Sequence, residues 1–212
     1  MIKIENLSKK FNTQFVLKDI NLDMKINDSI IITGQNGAGK TTLIRSILGE
    51  YIPTSGSVII DKFNPIKDRQ NALKNIGFVP QLPPPIKLSV NELIRYSVSS
   101  GNADMQKINS ICKDMDLDLK EHKSKIFFKL SGGMKQKLLI SIALSREPKI
   151  FIFDEPTANL DPKGRESFYK EIDMIKKDRL LIFISHRIEE MADFVNRQID
   201  MDLGKVVKDE KL

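Results

Sequence analysis

GQNGAGKT, residues 34–41, decides the fold of this chain. It has the spacing G-x-x-x-x-G-K-[ST], follows the apolar run SIII (29–32), and opens a helical pattern from Lys40 to Leu48 that Gly49 stops. Strand, glycine loop and helix in that order form a phosphate cradle. Gly34, Gly37 and Gly39 let the backbone N–H groups of the loop, Gln35, Asn36 and Ala38 included, curl around phosphate oxygens. Lys40 neutralises the outer phosphates, the Thr41 hydroxyl ligates Mg²⁺, and Thr42 adds a phosphate contact.

Three further apolar runs, IGFV (76–79), KIFIF (149–153) and LLIFI (180–184), are continuous rather than alternating. Such runs are strands buried on both faces of a mostly parallel sheet. Helical patterns cover Val90 to Ser99, Met105 to Met115, Gly133 to Leu144, and Pro162 to Lys177, the last with Asp161 as cap and Pro162 in its first turn. IKIEN and the alternation in VLKDINLDM (16–24) predict antiparallel strands near the N-terminus. The expected architecture is α/β: a P-loop NTPase core with a mostly parallel sheet, an N-terminal antiparallel β subdomain and an inserted α-helical subdomain. We expect one domain over 1–212, its helical insert spanning about 83–145. The insert is entered through LPPPIKL (82–88), where three prolines force an extended chain.

Polar groups follow each buried strand: Gln81 after IGFV, Asp154 and Glu155 after KIFIF, Ser185 and His186 after LLIFI. Ligands of open parallel sheets bind outside the carboxyl strand ends, so these groups should share an edge with the glycine loop. Asp154 is placed as a second Mg²⁺ anchor, through water. Glu155 can accept a proton from water attacking the terminal phosphate. The same two acids also suit a helix cap. Gln81 could ligate Mg²⁺, orient water or be a surface residue. His186 would hydrogen-bond the terminal phosphate or the attacking water, whereas His122, in KEHKSK, reads as solvated.

KLSGGMKQK (129–137) puts two glycines at a helix start. A glycine costs a helix interior roughly 1 kcal/mol, so the pair needs a turn or a close backbone approach as its reason. Ser131, Gly132 and Gly133 could instead present N–H groups to an anion at the helix N-terminus.

The chain has 212 residues, 41% of them hydrophobic, enough for one substantial core. Its net charge of +6 is spread without a basic block or interleaved aromatics, which disfavours a nucleic-acid partner. The single Cys112 cannot form an internal disulfide and reads as packing. The N-terminus does not resemble a signal peptide, so a reducing cytoplasm is the expectation. No apolar run approaches the roughly 20 residues that span a bilayer.

Taken together, and in this order along nearly the whole chain, the motifs resemble those of ATP-binding cassette ATPases. GQNGAGKT is similar to that family's Walker A loop, Gln81 to its Q-loop, LSGGM to its signature, IFIFDE to Walker B, ANLD (158–161) to its D-loop, and His186 to its switch histidine. The resemblance implies ATP and Mg²⁺ as ligands, and places Phe11 where an aromatic stacks on adenine, with a core phenylalanine as the alternative. It also implies two cassettes facing head to tail, with Ser131, Gly132, Gly133 and Met134 of one closing on ATP held by the other, and Asp161 at the interface. Met134 departs from the usual glutamine. The phosphate contacts should survive that change, and a side-chain contact to ribose or water should not. By resemblance the chain is the ATPase subunit of a transporter, a homodimer or paired cassette on the cytoplasmic face of the membrane. A polytopic transmembrane subunit would dock near Leu88 to Ser99. The signature and the short stretch after His186 look like exporter-type or maturation-type cassettes, without an appended regulatory domain. The rival class, cassettes acting on nucleic acid or ribosomes, would call for coiled-coil or zinc-bearing insertions or a second cassette.

Overall fold

The computed structural model describes residues 1–212 as two compact units. The first comprises Met1–Ile76, Lys149–Ile152 and Lys176–Leu212; the second comprises Gly77–Pro148 and Phe153–Ile175.

The first unit begins with β1 (Ile2–Phe11) and β2 (Gln14–Met24), an antiparallel pair with Ile2 opposite Met24 and Phe11 opposite Gln14. Asn12 makes the tight turn between them at φ 52°, a left-handed conformation that asparagine tolerates. Next come β3 (Ser29–Thr33), α1 (Lys40–Ile47), β4 (Ser55–Ile60) and the short α2 (Arg69–Leu73); the chain then passes into the second unit along β5 (Ile76–Val79). Strand β4 joins the other side of β1, giving a three-stranded sheet in the order β2-β1-β4. Its SVII run carries little strand signal of its own, because a turn precedes it and only Val58, Ile59 and Ile60 are strongly β-forming.

In the second unit the chain forms α3 (Val90–Gly101), α4 (Met105–Asp114), the short α5 (Leu119–His122), a 3-10 turn at Phe127–Lys129 and α6 (Gly132–Ser145). Ser89 and Glu92 form a reciprocal capping box at the start of α3, satisfying two otherwise orphaned donors. Strand β6 (Ile150–Asp154) and α7 (Pro162–Ile175) follow, and the first unit resumes with β7 (Leu180–Ile184), a short α8 (Ile188–Met191) and the hairpin β8 (Arg197–Asp202) and β9 (Lys205–Lys211). The six-stranded sheet has the order β5-β6-β7-β3-β8-β9, with β3 parallel to β7 and β8, and β9 antiparallel to β8.

Every residue of β3, β6 and β7 is buried, which is why their sequences carry no alternation. The helical unit has its own core of Val90, Leu93, Ile94, Ile108, Cys112, Phe127, Leu130 and Leu138. Cys112 is fully buried there, and burial pushes its thiol up to about 11 against a weaker opposing hydrogen bond from Ser141. No helix is long and apolar enough to cross a membrane.

Candidate functional site

The glycine loop leaves the end of β3 and is held open by three left-handed glycines, Gly34, Gly37 and Gly39, at φ 136°, 85° and 103°. Other residues rarely adopt these angles. A Cβ at Gly34 would overlap the Met201 carbonyl oxygen, and one at Gly39 would lie 2.8 Å from that of Val16. Glycine is therefore required at 34 and 39 for space as well as for angle. Gly39 is the cap of α1 and supplies no side-chain acceptor, and no acidic residue stands in the first turn. The N–H groups at that helix end thus suit an anion. Lys40 is only 8% exposed, and its Nζ donates to the carbonyl oxygens of Gly34 at 2.5 Å and Gln35 at 3.0 Å. These bonds brace the loop from within. Gln35, Asn36, Gly37 and Thr41 are exposed, Thr42 is half-buried, and Ala38 is buried with its N–H on the Gln35 oxygen.

His186 belongs to the same unit. Ile32 of β3 pairs in parallel with Ile184 of β7, so the loop and the Ser185–His186 segment leave neighbouring strands at one edge, as the sequence predicted. His186 is exposed, and the Ser185 hydroxyl accepts the Arg187 N–H at 3.0 Å. Phe11 is 40% exposed, so it is not a core phenylalanine. Its ring meets Tyr51 edge-on at 5.1 Å, and the Lys9 ammonium sits 4.9 Å above it.

The second unit holds the acids. Asp154 ends β6 at 5% exposure, and Glu155 follows at 8%. Glu155 has φ 48°, uncommon for a non-glycine residue and costly by roughly 1–2 kcal/mol. Ala158 donates to the Glu155 carbonyl at 3.2 Å, closing the turn that follows. Gln81 is exposed at the entrance to the proline segment.

Ser131 caps α6, its Oγ accepting the Met134 N–H at 3.2 Å, and the two glycines separate in role. A Cβ at Gly133 would lie 2.8 Å from the Asn159 carbonyl oxygen, whereas one at Gly132 would meet nothing within 4 Å. Gly133 is there for close approach to the ANLD segment; Gly132 is exposed. Met134 packs partly buried against the helical core and lines a cavity of about 730 Å³ with His122, Leu117 and Leu119. Its packing against that core accounts for a methionine here. His122 is half-buried, with Nδ1 shielded from solvent and lacking a hydrogen-bond partner, which corrects the expectation of a solvated residue. The KEHKSK charges masked it.

Sequence reading missed two residues of α6. Lys137, 7% exposed, pairs with Asp161 at 3.1 Å, and Gln136, fully buried, donates from Nε2 to the Pro80 carbonyl at 3.4 Å. Asp161 also accepts the Gly164 N–H at 2.9 Å, the cap predicted for α7. Burial works to raise the Asp161 carboxyl, but the Lys137 hydrogen bond and the Gly164 N–H outweigh it and hold the group below its ordinary value. The only sequence signal was a lysine at a helical position that faces the core.

A glycine loop gripped by its own lysine at the end of a buried strand, with a capped SGG helix seated on the ANLD turn, defines an ATP-binding cassette. The sequence profile of the ABC transporter family matches residues 17–158, and the chain belongs to that family. It is 35% identical to the energy-coupling factor transporter ATP-binding protein EcfA2 of Clostridium perfringens, over 100% of this chain and 80% of that protein. The dimeric post-hydrolysis structure of the cassette MJ0796 bound to ADP and Pi superposes with a TM-score of 0.85 at 28% identity, covering 100% of this chain and 99% of that one. The structure of cbiO1 from Clostridium perfringens, part of the ABC transporter complex cbiONQ, gives 0.77 at 26% identity, covering 99% and 88%.

Proposed function

We propose that this chain binds and hydrolyses ATP as one of a pair of cassettes and thereby energises a separate transmembrane transport subunit. The observation that carries the reading is the 34–42 loop, whose glycine geometry and buried Lys40 leave a helix N-terminus uncapped for phosphate. When phosphate arrives, Lys40 can exchange its two carbonyl acceptors for phosphate oxygens, a charge-assisted and stronger partner. The Thr41 and Thr42 hydroxyls lie at the start of the same helix.

Glu155 is the general base in this reading, taking a proton from water, and His186 holds the terminal phosphate or that water by hydrogen bond. Gln81, from the proline segment, would ligate Mg²⁺ or orient that water. Phe11, 40% exposed, would stack its ring on the adenine. Magnesium would be held by oxygens of Thr41, Gln81 and Asp154, the hard donor type that it takes. Mg²⁺ takes few protein ligands and prefers to share substrate phosphates. When bound it would neutralise charge on the β- and γ-phosphates.

Ser131, Gly132, Gly133 and Met134 would close on the ATP of a second copy, with Asp161 beside that interface. Support comes from the dimeric state of the cassette MJ0796 and from the open space beside Gly132. Attachment to the cytoplasmic face of the membrane would run through the transport subunit. The test is co-purification: recovery with a polytopic membrane protein, and ATPase activity that rises with it, is expected. Nuclease-sensitive recovery with DNA or ribosomes instead would overturn the reading.

A further inference from the structure

Helix α6 does more than present a signature. Within the second unit its first two turns hold two loops. Gly133 seats against the Asn159 carbonyl, and one turn later Lys137 reaches Asp161, touching both carboxylate oxygens at 3.1 Å. Gly164 leaves the room: a Cβ there would lie 2.6 Å from Asp161 Oδ1 and 3.0 Å from Lys137 Cε. Between these contacts Gln136 holds the Pro80 carbonyl, the residue before Gln81.

A lysine is rarely buried unless its charge is paired. Here the pairing is asymmetric, because the Lys137 side chain is 8% exposed and that of Asp161 49%. The lysine is sunk in the helix packing and cannot follow the acid if the loop moves; the acid must come to it. We propose that Lys137 is a positioning residue for ATP hydrolysis, fixing the 158–161 turn through Asp161 at a set distance from Ser131. The inference rests on the reading of this chain as one of two cassettes closing over ATP. A turn free to drift from α6 would let the two interface elements of one chain arrive at a partner's nucleotide out of step, and displacements of about 1 Å are enough to lower turnover strongly.

The experiment uses the full chain and four measurements: melting temperature, ATP affinity of the monomer, kcat and KM. The variants are Lys137→Met, Lys137→Arg and Asp161→Asn. Asparagine keeps an oxygen for the Gly164 N–H, so it removes the ion pair and spares the helix cap. Lys137→Met and Asp161→Asn should lose roughly ten- to a hundredfold in kcat, with KM and monomer affinity held within about twofold. Lys137→Arg should recover most of kcat, because a guanidinium fork suits a two-oxygen partner. Wild-type kcat in either charge-removing variant would overturn the proposal. So would an arginine variant as slow as the methionine one, or a melting temperature that falls while kcat per folded molecule does not. A wild-type chain whose turnover does not depend on Lys40 would instead remove the underlying reading, and needs no position 137 variant to be seen.

Discussion

Ile32 and Ile184 face each other in parallel register on β3 and β7, and Gly34 and His186 each stand two residues beyond that pair. One sheet edge thus issues the phosphate loop and the histidine segment side by side. The backbone sets this spacing, because adjacent strands lie ~4.8 Å apart.

Lys40→Ala should weaken ATP binding severely and leave the fold intact. It removes a charge-assisted donor from the phosphate and also the internal brace on Gly34 and Gln35. The expected loss is about 3 kcal/mol, roughly a hundredfold in Kd, measured by titrating a fluorescent ATP analogue. Unchanged affinity would contradict the loop assignment.

Glu155→Gln should reduce turnover by roughly a hundredfold or more while ATP still drives dimers together. Size-exclusion chromatography with ATP would show the trapped dimer, and steady-state phosphate release the lost rate. Hydrolysis near the wild-type rate would reject Glu155 as base.

The two signature glycines should respond differently to alanine. Gly133→Ala forces a Cβ to 2.8 Å from the Asn159 oxygen, and should destabilise the chain by about 1–3 kcal/mol, as overpacking does. Gly132→Ala meets open space and should leave the unfolding midpoint unchanged or raise it slightly. Urea titrations of both variants separate the cases.

Ser131→Arg chains and Lys40→Ala chains, each inactive alone, should regain activity on mixing, since a mixed dimer assembles one intact site. Ser131 also caps α6 through the Met134 N–H, so its variant should lose about 1 kcal/mol of stability. The mixture must therefore be compared at equal folded fraction. Absence of activity with dimers confirmed would count against a site shared between chains.

The Cys112 thiol should not react with Ellman's reagent in the native chain and should react fully in denaturant. Its proton is held up to about 11 where the ordinary value is 9.0. Above pH ~9 the unfolded thiol ionises while the folded one does not, so the unfolded state binds fewer protons and stability falls as pH rises between those values. Rapid labelling of folded protein at pH 8 would overturn this.

Much of the site could be read from the sequence because its chemistry is local. The 34–41 spacing works through the φ of three glycines and one lysine in a single turn, and the polar residues ending LLIFI announce the sheet edge by position alone. SVII was harder, since a four-residue run gains strand identity only by pairing with β1.

Residues 129–137 mark the boundary between the two kinds of information. By itself the sequence determined that a glycine pair opens a helix after Ser131, and that this helix accompanies a phosphate loop. Only the tertiary structure decided that Gly133 yields to the Asn159 carbonyl while Gly132 faces open space, that Met134 turns into the helical core, and that Lys137 is sunk against Asp161. The reason is physical. Phosphate loops are specified by backbone angles within a few residues, whereas close approach and charge burial depend on which distant segment packs there, here one more than twenty residues further along the chain.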